Sequence, residues 1–241
     1  TGIDLPGESQ SIYHDRDMSL MDLAVESFGQ NFSITPIQMI TACAAIANGG
    51  YLVQPHVVSQ IVDNDGNIIK TADTTVKRQV ISEETSKRVS KILQENATSG
   101  TAKNGYVAGY RIAGKTGTSE KVGADGKVGS DNKYIASYCG FAPADDPQYA
   151  VLVFFDEPTG DSYYGGAVAG PVFAKIMEEI LPYLNVETKY TEDEAGSVGV
   201  SAPNVIGKTV SEATNELTNS GLKILVKGSG DTVIAQTPDP G

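Results

Sequence analysis

The chain has 241 residues, 40% of them hydrophobic, enough to build one full-sized core and a smaller one without disulfide staples. Its formal charge is -12, from 30 acidic against 18 basic residues with no basic cluster, which argues against nucleic acid and anionic lipid surfaces as partners. No apolar run reaches bilayer-spanning length and the start lacks a basic segment followed by an apolar one, so the chain as given reads as soluble.

In chain order, Thr1-Gly2-Ile3-Asp4-Leu5-Pro6-Gly7 reads as the middle of a domain rather than a start. Thr35-Pro36-Ile37-Gln38 combines a capping threonine, a proline at the first helical position and a glutamine that returns to the cap. This predicts a helix to about Asn48, with Ile37, Ile40, Ala44 and Ala47 at helical spacing and Asn48-Gly49-Gly50 as its stop. A second helix is predicted over 82–96, with Glu83 and Glu84 in its first turn and Lys87, Arg88 and Lys91 further on, the order the helix dipole favours.

From Arg111 to Asp156 the pattern changes to strands. Residues 134–142 and 149–155 are rich in aromatic and β-branched side chains and flank a turn from Pro143 to Pro147, which predicts an antiparallel meander. The Gly-, Asp- and Lys-rich stretch 119–133 reads as an exposed loop. A last large helix is predicted near Gly166, with Phe173, Ile176, Ile180 and Leu184 on the face that packs on the sheet. Residues 185–201, carrying Glu187, Glu192, Asp193 and Glu194, read as an acidic linker. Beyond it, the capping box Thr209-Val210-Ser211-Glu212 opens a short helix ending at Gly221, and 222–226 reads as a strand. This predicts a small αβ module over 202–241, which stops on Pro238-Asp239-Pro240-Gly241 with no strand to follow.

Cys43 and Cys139 both lie in apolar surroundings and are expected as buried free thiols rather than a disulfide. His14 and His56 have no paired Cys/His spacing around them, so no zinc site or other metal site is expected.

Two motifs overlap at one place. Gly109-Tyr110-Arg111-Ile112-Ala113-Gly114-Lys115-Thr116 fits the phosphate-loop pattern, and 150–157 resembles the apolar strand ending in two acids that such ATPases also carry. A phosphate loop works only if a helix begins at its Lys-Thr, because the helix amides point at the phosphates. Here Gly117-Thr118-Ser119 and a glycine-rich stretch follow instead. The competing reading is a K-T-G element, Lys115-Thr116-Gly117-Thr118, on a strand. Alternation would set Thr116 and Thr118 on one face, within reach of a bound carboxylate, while glycine keeps the edge clear.

The surrounding residues favour the second reading. Phe28-Gly29-Gln30-Asn31, Ile34-Thr35-Pro36-Ile37-Gln38-Met39 and Ala45-Ile46-Ala47-Asn48-Gly49-Gly50 resemble the stretch before K-T-G in class B penicillin-binding proteins. Residues 138–143 resemble the strand after it, and Tyr164-Gly165-Gly166 with Ala169-Gly170-Pro171-Val172-Phe173 resembles the start of the family's last helix. The likeness covers residues 1 to about 184, with Asn31 standing where the family usually has glycine, a local change in a turn. Pro203-Asn204-Val205-Ile206-Gly207, Ala213, Leu217, Gly221-Leu222 and the closing 236–241 are similar to PASTA modules, which also occur on surface kinases. His14-Asp15-Arg16-Asp17 is not a kinase catalytic loop and no D-F-G follows.

The resemblance implies an α+β fold: an antiparallel sheet flanked by helices, part of a transpeptidase/β-lactamase-like domain over 1–184, followed by the linker and the small module. It implies a D,D-transpeptidase that cross-links peptidoglycan stem peptides through a serine acyl-enzyme and is acylated by β-lactams at the same serine. It needs no cofactor. It would sit on the outer face of a Gram-positive plasma membrane, held by an N-terminal anchor outside this sequence, and other cell-wall synthesis or division proteins would be its partners. Lys115 would supply positive potential, Thr116 and Thr118 would bind the carboxylate beside Gly117, and the Thr118 backbone N–H would form half of the oxyanion hole. The family's S-x-x-K and S-x-N elements precede K-T-G. Here both patterns fall together on Ser130-Asp131-Asn132-Lys133, after K-T-G in the polar loop, and S-x-x-K recurs at 220–223 in the tail; both read as solvated surface. The chain is therefore expected to carry no nucleophile of its own and to be inactive alone. A non-catalytic wall-binding module and, further off, a phosphate-loop ATPase are the alternatives.

Overall fold

The computed structural model describes residues 1–13, 18–121, 128–195, 202–220, 222 and 224–237. The His14–Asp17 stretch, the middle of the predicted 119–133 loop, the end of the predicted linker and 238–241 lie outside them. Ser19 and Asp22 form a capping box that starts α1, Leu20–Glu26. Thr35 and Gln38 form the predicted one that starts α2, Pro36–Ala47. After α2 the chain reverses through Gly49 and Gly50 at φ of 88° and 93°. A Cβ on Gly50 would come within 2.0 Å of Ile81 O, so no larger residue fits that reversal.

Next come two antiparallel ribbons that no sequence pattern predicted. Strand β1, Tyr51–Val53, pairs with β4, Val76–Gln79; nested between them, β2, Gln60–Val62, pairs with β3, Ile68–Thr71. Strands this short show no legible alternation. The tip of the inner ribbon is an Asp turn, the Asp63 carboxylate accepting from the N–H groups of Asp65 and Asn67 at 3.0 and 2.8 Å.

Helix α3, Glu83–Ser99, is capped by Ser82 and runs past the predicted end at Asn96 to stop at Gly100. Its buried positions are small, Ser86, Ser90 and Ala97, and Ser86 Oγ donates to Ile46 O at 2.6 Å, tying α3 to the last turn of α2. A single 3-10 turn, Lys103–Gly105, then leads toward the sheet.

The sheet is the predicted meander: β5, Ala113–Glu120; β6, Tyr134–Ala142; β7, Tyr149–Asp156; antiparallel in the order β5-β6-β7. Strand β5 takes in Ser119 and Glu120, placed in the loop by sequence, because they continue the ladder with Ile135 and Tyr134. Helix α4, Gly165–Tyr183, packs on one face and buries Phe173, Met177 and Leu181 together with Gly165, Ala169 and Gly170. The predicted inward face was therefore rotated: Phe173 is buried and Leu184 packs against the core as predicted, but Ile176 and Ile180 are only half-buried at its margin. Lys175, Glu178 and Glu179 mark its outer face, but apolar residues span the rest of the circumference, so spacing alone left the rotation open by part of a turn; close packing of its glycines on the sheet sets it.

The main core gathers Ile112, Tyr138, Phe173, Met177 and Leu181, with the Tyr138 and Phe173 rings 4.4 Å apart between centroids. A second cluster, Ala113, Phe141 and Ala144, packs against Cys43 and Ile46 of α2 and Leu93 of α3. Cys43 and Cys139 are free, as expected, but half-buried rather than fully so. They also face one another: the neighbouring Cys43 thiol first and burial second push the Cys139 thiol upward. Val186 is buried in the main core and Lys189 N–H donates to Gly109 O at 2.8 Å, so the first residues of the predicted linker pack on this compact unit, 1–189.

The second unit, 190–241, contains α5, Glu192–Ala195, and α6, Val210–Asn219, the latter opened by the predicted Thr209/Glu212 capping box. Among its described residues, Ala202, Val205 and Ala213 are the buried apolar ones. The strand predicted over 222–226 is absent at 222 and 224–226, and Leu225 is 81% exposed. The backbone pairing of this unit runs instead between 207–210 and 231–233: Gly207 and Val210 donate to Val233 O and Asp231 O, and Thr209 bridges Thr232. Gly221 and Lys223 lie outside the described residues.

Candidate active site

Strand β5 is the edge of its sheet, with β6 on its inner side. The register sets Lys115 opposite Cys139, Thr116 opposite Tyr138, Gly117 opposite Ser137 and Thr118 opposite Ala136. Alternation then divides the motif: Thr116 and Thr118 share the face carrying Tyr138, while Lys115 and Gly117 share the face carrying Cys139. Lys115 is exposed and its Nζ donates to Thr116 O at 2.8 Å. The Thr116 and Thr118 side chains are half-buried at the start of α4. Thr118 Oγ1 accepts from Gly165 N–H at 3.0 Å, and Thr116 Oγ1 lies 3.5 Å from Thr101 Oγ1.

Glycine is required on the helix side of this contact: a Cβ on Gly165 would meet both Gly117 O and Ser137 O at 2.2 Å, whereas one on Gly117 would crowd only the rotatable Ser137 Oγ at 2.5 Å. The first turn of α4 thus rests directly on the backbone of the motif.

Behind the strand lies a set of polar anchors. Asn96 Nδ2 donates to Gly114 O at 2.8 Å, and Asn104 Nδ2 donates to Gly166 O at 2.9 Å. The buried Tyr138 hydroxyl donates to Ala102 O at 2.9 Å, and burial pushes its pKa up. A Cβ on either Gly105 or Gly114 would come within 2.3 Å of Tyr138, so the ring is wedged between them. Beyond Thr118, the rings of Tyr134 and Tyr163 stack 4.0 Å apart and Tyr163 and Tyr164 meet at 4.6 Å. The Tyr164 hydroxyl contact holds Tyr163 up at about 12. Sequence reasoning found the motif and Tyr164, but not Asn96, Asn104, Thr101 or the tyrosine cluster. Single asparagines and loop tyrosines carry no periodic signal, and their contacts are long-range.

The competing motifs separate on geometry. Lys115 and Thr116 lie inside a strand that continues to Glu120, so no helix N-terminus is presented to a phosphate there. Lys133 is paired with Glu157 at 3.0 Å, so its ammonium is committed to a carboxylate rather than to Ser130, which is exposed. Ser220 Oγ donates to Glu216 O at 3.0 Å as part of the α6 C-terminus. Asn31 adopts a left-handed φ of 67° with its side chain bonded to Asp22, a backbone that glycine adopts without strain. Among the described residues, no group of three His, Cys, Asp or Glu is placed to hold a metal ion, and no helix is long and apolar enough to cross a membrane.

A K-T-G edge strand on an antiparallel sheet, backed by a C-terminal helix, is the arrangement of penicillin-recognising serine acyltransferases. The chain belongs to the penicillin-binding-protein family: the model of the penicillin binding protein transpeptidase domain matches residues 1–178, and that of the PASTA domain matches 200–241. It is 40% identical over its full length to Stage V sporulation protein D of Bacillus subtilis, of which it covers 38%. It is 34% identical over 78% of its length to the peptidoglycan D,D-transpeptidase FtsI of Escherichia coli K12, covering 30% of that protein. The solved structure of penicillin binding protein 3 from Mycobacterium tuberculosis complexed with ampicillin superposes with a TM-score of 0.70 at 29% identity, over 79% of this chain and 44% of that one. The aztreonam complex of the same protein gives 0.69 over 78% and 44%. The chain thus spans less than half the length of each of these relatives.

Proposed function

We propose that the chain is the K-T-G-bearing portion of a peptidoglycan D,D-transpeptidase, which joins stem peptides through a serine acyl-enzyme and is acylated by β-lactams at the same serine. The observation that carries this reading is Lys115-Thr116-Gly117-Thr118 on an edge strand with the first turn of α4 against it. An exposed Lys115 supplies positive potential to an anionic substrate. Thr116 and Thr118 hold the carboxylate, Gly117 leaves the edge open, and the Thr118 N–H forms half of an oxyanion hole. No S-x-x-K or S-x-N precedes the motif in this sequence, so the nucleophile and the other half belong to residues of the longer protein. In our reading 1–184 serves the transpeptidase, 185–201 links it, its residues up to 189 packed on that unit, and 202–241 is a PASTA-like wall-associated module, the whole held at the outer face of the plasma membrane. The full-length match to a sporulation protein favours a sporulation role over division.

The test is acylation of the complete protein by a fluorescent penicillin. Lys115→Ala is expected to slow acylation by roughly a hundredfold, the loss typical of one preorganised electrostatic group, with little change in the unfolding midpoint. An unchanged rate, or magnesium-dependent ATP binding by calorimetry, would overturn the reading.

A further inference from the structure

We infer that Asn104 is a positioning residue for the reaction, acting on the Thr118 hydroxyl through the first turn of α4. The inference rests on the reading of Thr118 as a carboxylate-binding residue. The leading N–H groups of a helix have no partner within it, and the N-cap of α4, Tyr164, supplies no side-chain cap. The Gly165 N–H finds its partner outside, in Thr118 Oγ1 at 3.0 Å. An amide N–H can only donate, so this contact takes up a lone pair of the hydroxyl and leaves its proton to be given elsewhere. Thr118 is thereby held as a donor, which is what a carboxylate requires. The partial positive charge at the start of a 19-residue helix favours the same anion.

Holding that contact demands that α4 keep its place on the strand closely. Inward movement is blocked, since Gly165 already rests on Gly117 O and Ser137 O. Against sliding and lift-off, Asn104 acts as the tie: its amide donates to Gly166 O at 2.9 Å, and a Cβ on Gly170 would lie 3.2 Å from Asn104 Cβ. Asn104 itself stands on a rigid base. The neighbouring Gly105 abuts the Tyr138 ring, whose hydroxyl is bonded to Ala102 O. The Asn104 side chain is exposed and contributes nothing to the core, so its removal tests position rather than packing.

The experiment compares second-order acylation of the complete transpeptidase by benzylpenicillin and by its methyl ester, which lacks the anionic carboxylate. Four proteins are needed: wild type, Asn104→Ala, Thr118→Val and the double variant. Asn104→Ala is expected to slow acylation by the free acid by up to about tenfold, the worth of one hydrogen bond, and to leave the ester rate nearly unchanged. Thr118→Val should lower the preference for acid over ester further, and the double variant should be no worse than Thr118→Val alone. Asn104→Asp, which keeps the side-chain size but turns an acceptor toward Gly166 O, should reproduce the loss if Asn104→Ala folds poorly. Equal slowing of acid and ester in the Asn104 variants, additive losses in the double variant, or no loss at all would overturn the inference while leaving Thr118 in its role. A Thr118→Val enzyme that prefers the acid as strongly as wild type would overturn the role of Thr118 and the inference with it.

Discussion

At the scale of single residues, Tyr138 shows how polar and apolar demands meet behind the K-T-G strand. Its ring fills the space that Gly105 and Gly114 leave, and its hydroxyl satisfies Ala102 O inside the core. Tyr138→Phe keeps the ring and strands that carbonyl, so chemical denaturation of the complete protein should show a loss of about 1–2 kcal/mol. The motif beside it was legible because four consecutive residues define it. Asn96 and Asn104 were not, since each acts on a carbonyl far along the chain, Gly114 or Gly166, that only folding brings near. The Cys43–Cys139 contact was hidden for the same reason: apolar context announces burial, whereas adjacency depends on how α2 lies over β6.

At the scale of elements, the capping boxes at Thr35 and Thr209 were legible because both partners lie within one turn, whereas the equally local box of Ser19 and Asp22 went unread for want of an apolar stripe behind it. The rotation of α4 was not legible, because Ile176 and Ile180 widen the apolar stripe to one side of the residues that are buried. Met177→Ala is accordingly expected to cost about 2–4 kcal/mol in equilibrium unfolding, as a fully buried truncation does. Ile176→Ala, on a half-exposed stripe beside Pro171 and Val172, should cost less than about 1 kcal/mol. A reversed order would restore the face predicted from spacing.

The far end of the β5–β6 hairpin carries a titratable tie. Lys121 Nζ reaches Asp156 and Glu157, each at 2.7 Å, and Lys133 reaches Glu157 at 3.0 Å. Lys121 first and Lys133 second hold the Glu157 carboxyl below its ordinary 4.5. Asp156 first and Glu157 second hold the Lys121 ammonium above its ordinary 10.5. A depressed carboxyl adds stability above its unfolded value and loses it as pH falls through the folded one; a raised ammonium adds it below 10.5 and loses it as pH rises. The tie is therefore complete between these limits. Protection of the Lys121 amide, which donates to Lys133 O, should fall on acidification relative to its intrinsic exchange rate. Glu157→Gln should flatten that acid limb, and a wild-type protection that rises toward acid would contradict the assignment.

At the scale of the whole molecule, the helices and the meander that carry the K-T-G strand could be read from sequence, but the nested ribbons between α2 and α3 and the exposed surface of α1 could not. The ribbon strands are too short to alternate. Helix α1 buries none of its own residues, with Leu20 86% and Met21 71% exposed, so it has no inward face for a pattern to reveal. Chemistry is divided in the same way. Acylation by a penicillin needs a serine oxygen activated by a nearby lysine and two amides facing the developing oxyanion. The chain offers the K-T-G strand and, in the proposed reading, one such amide; its S-x-x-K matches follow that strand, with Lys133 engaged by Glu157. Incubation of the 241-residue chain with a penicillin is therefore expected to leave its intact mass unchanged. The complete transpeptidase should gain one penicilloyl group per chain, on a serine outside these residues. A stoichiometric adduct on the bare chain that maps to Ser130 would show that the polar loop, not a more distant helix, brings the nucleophile to Lys115.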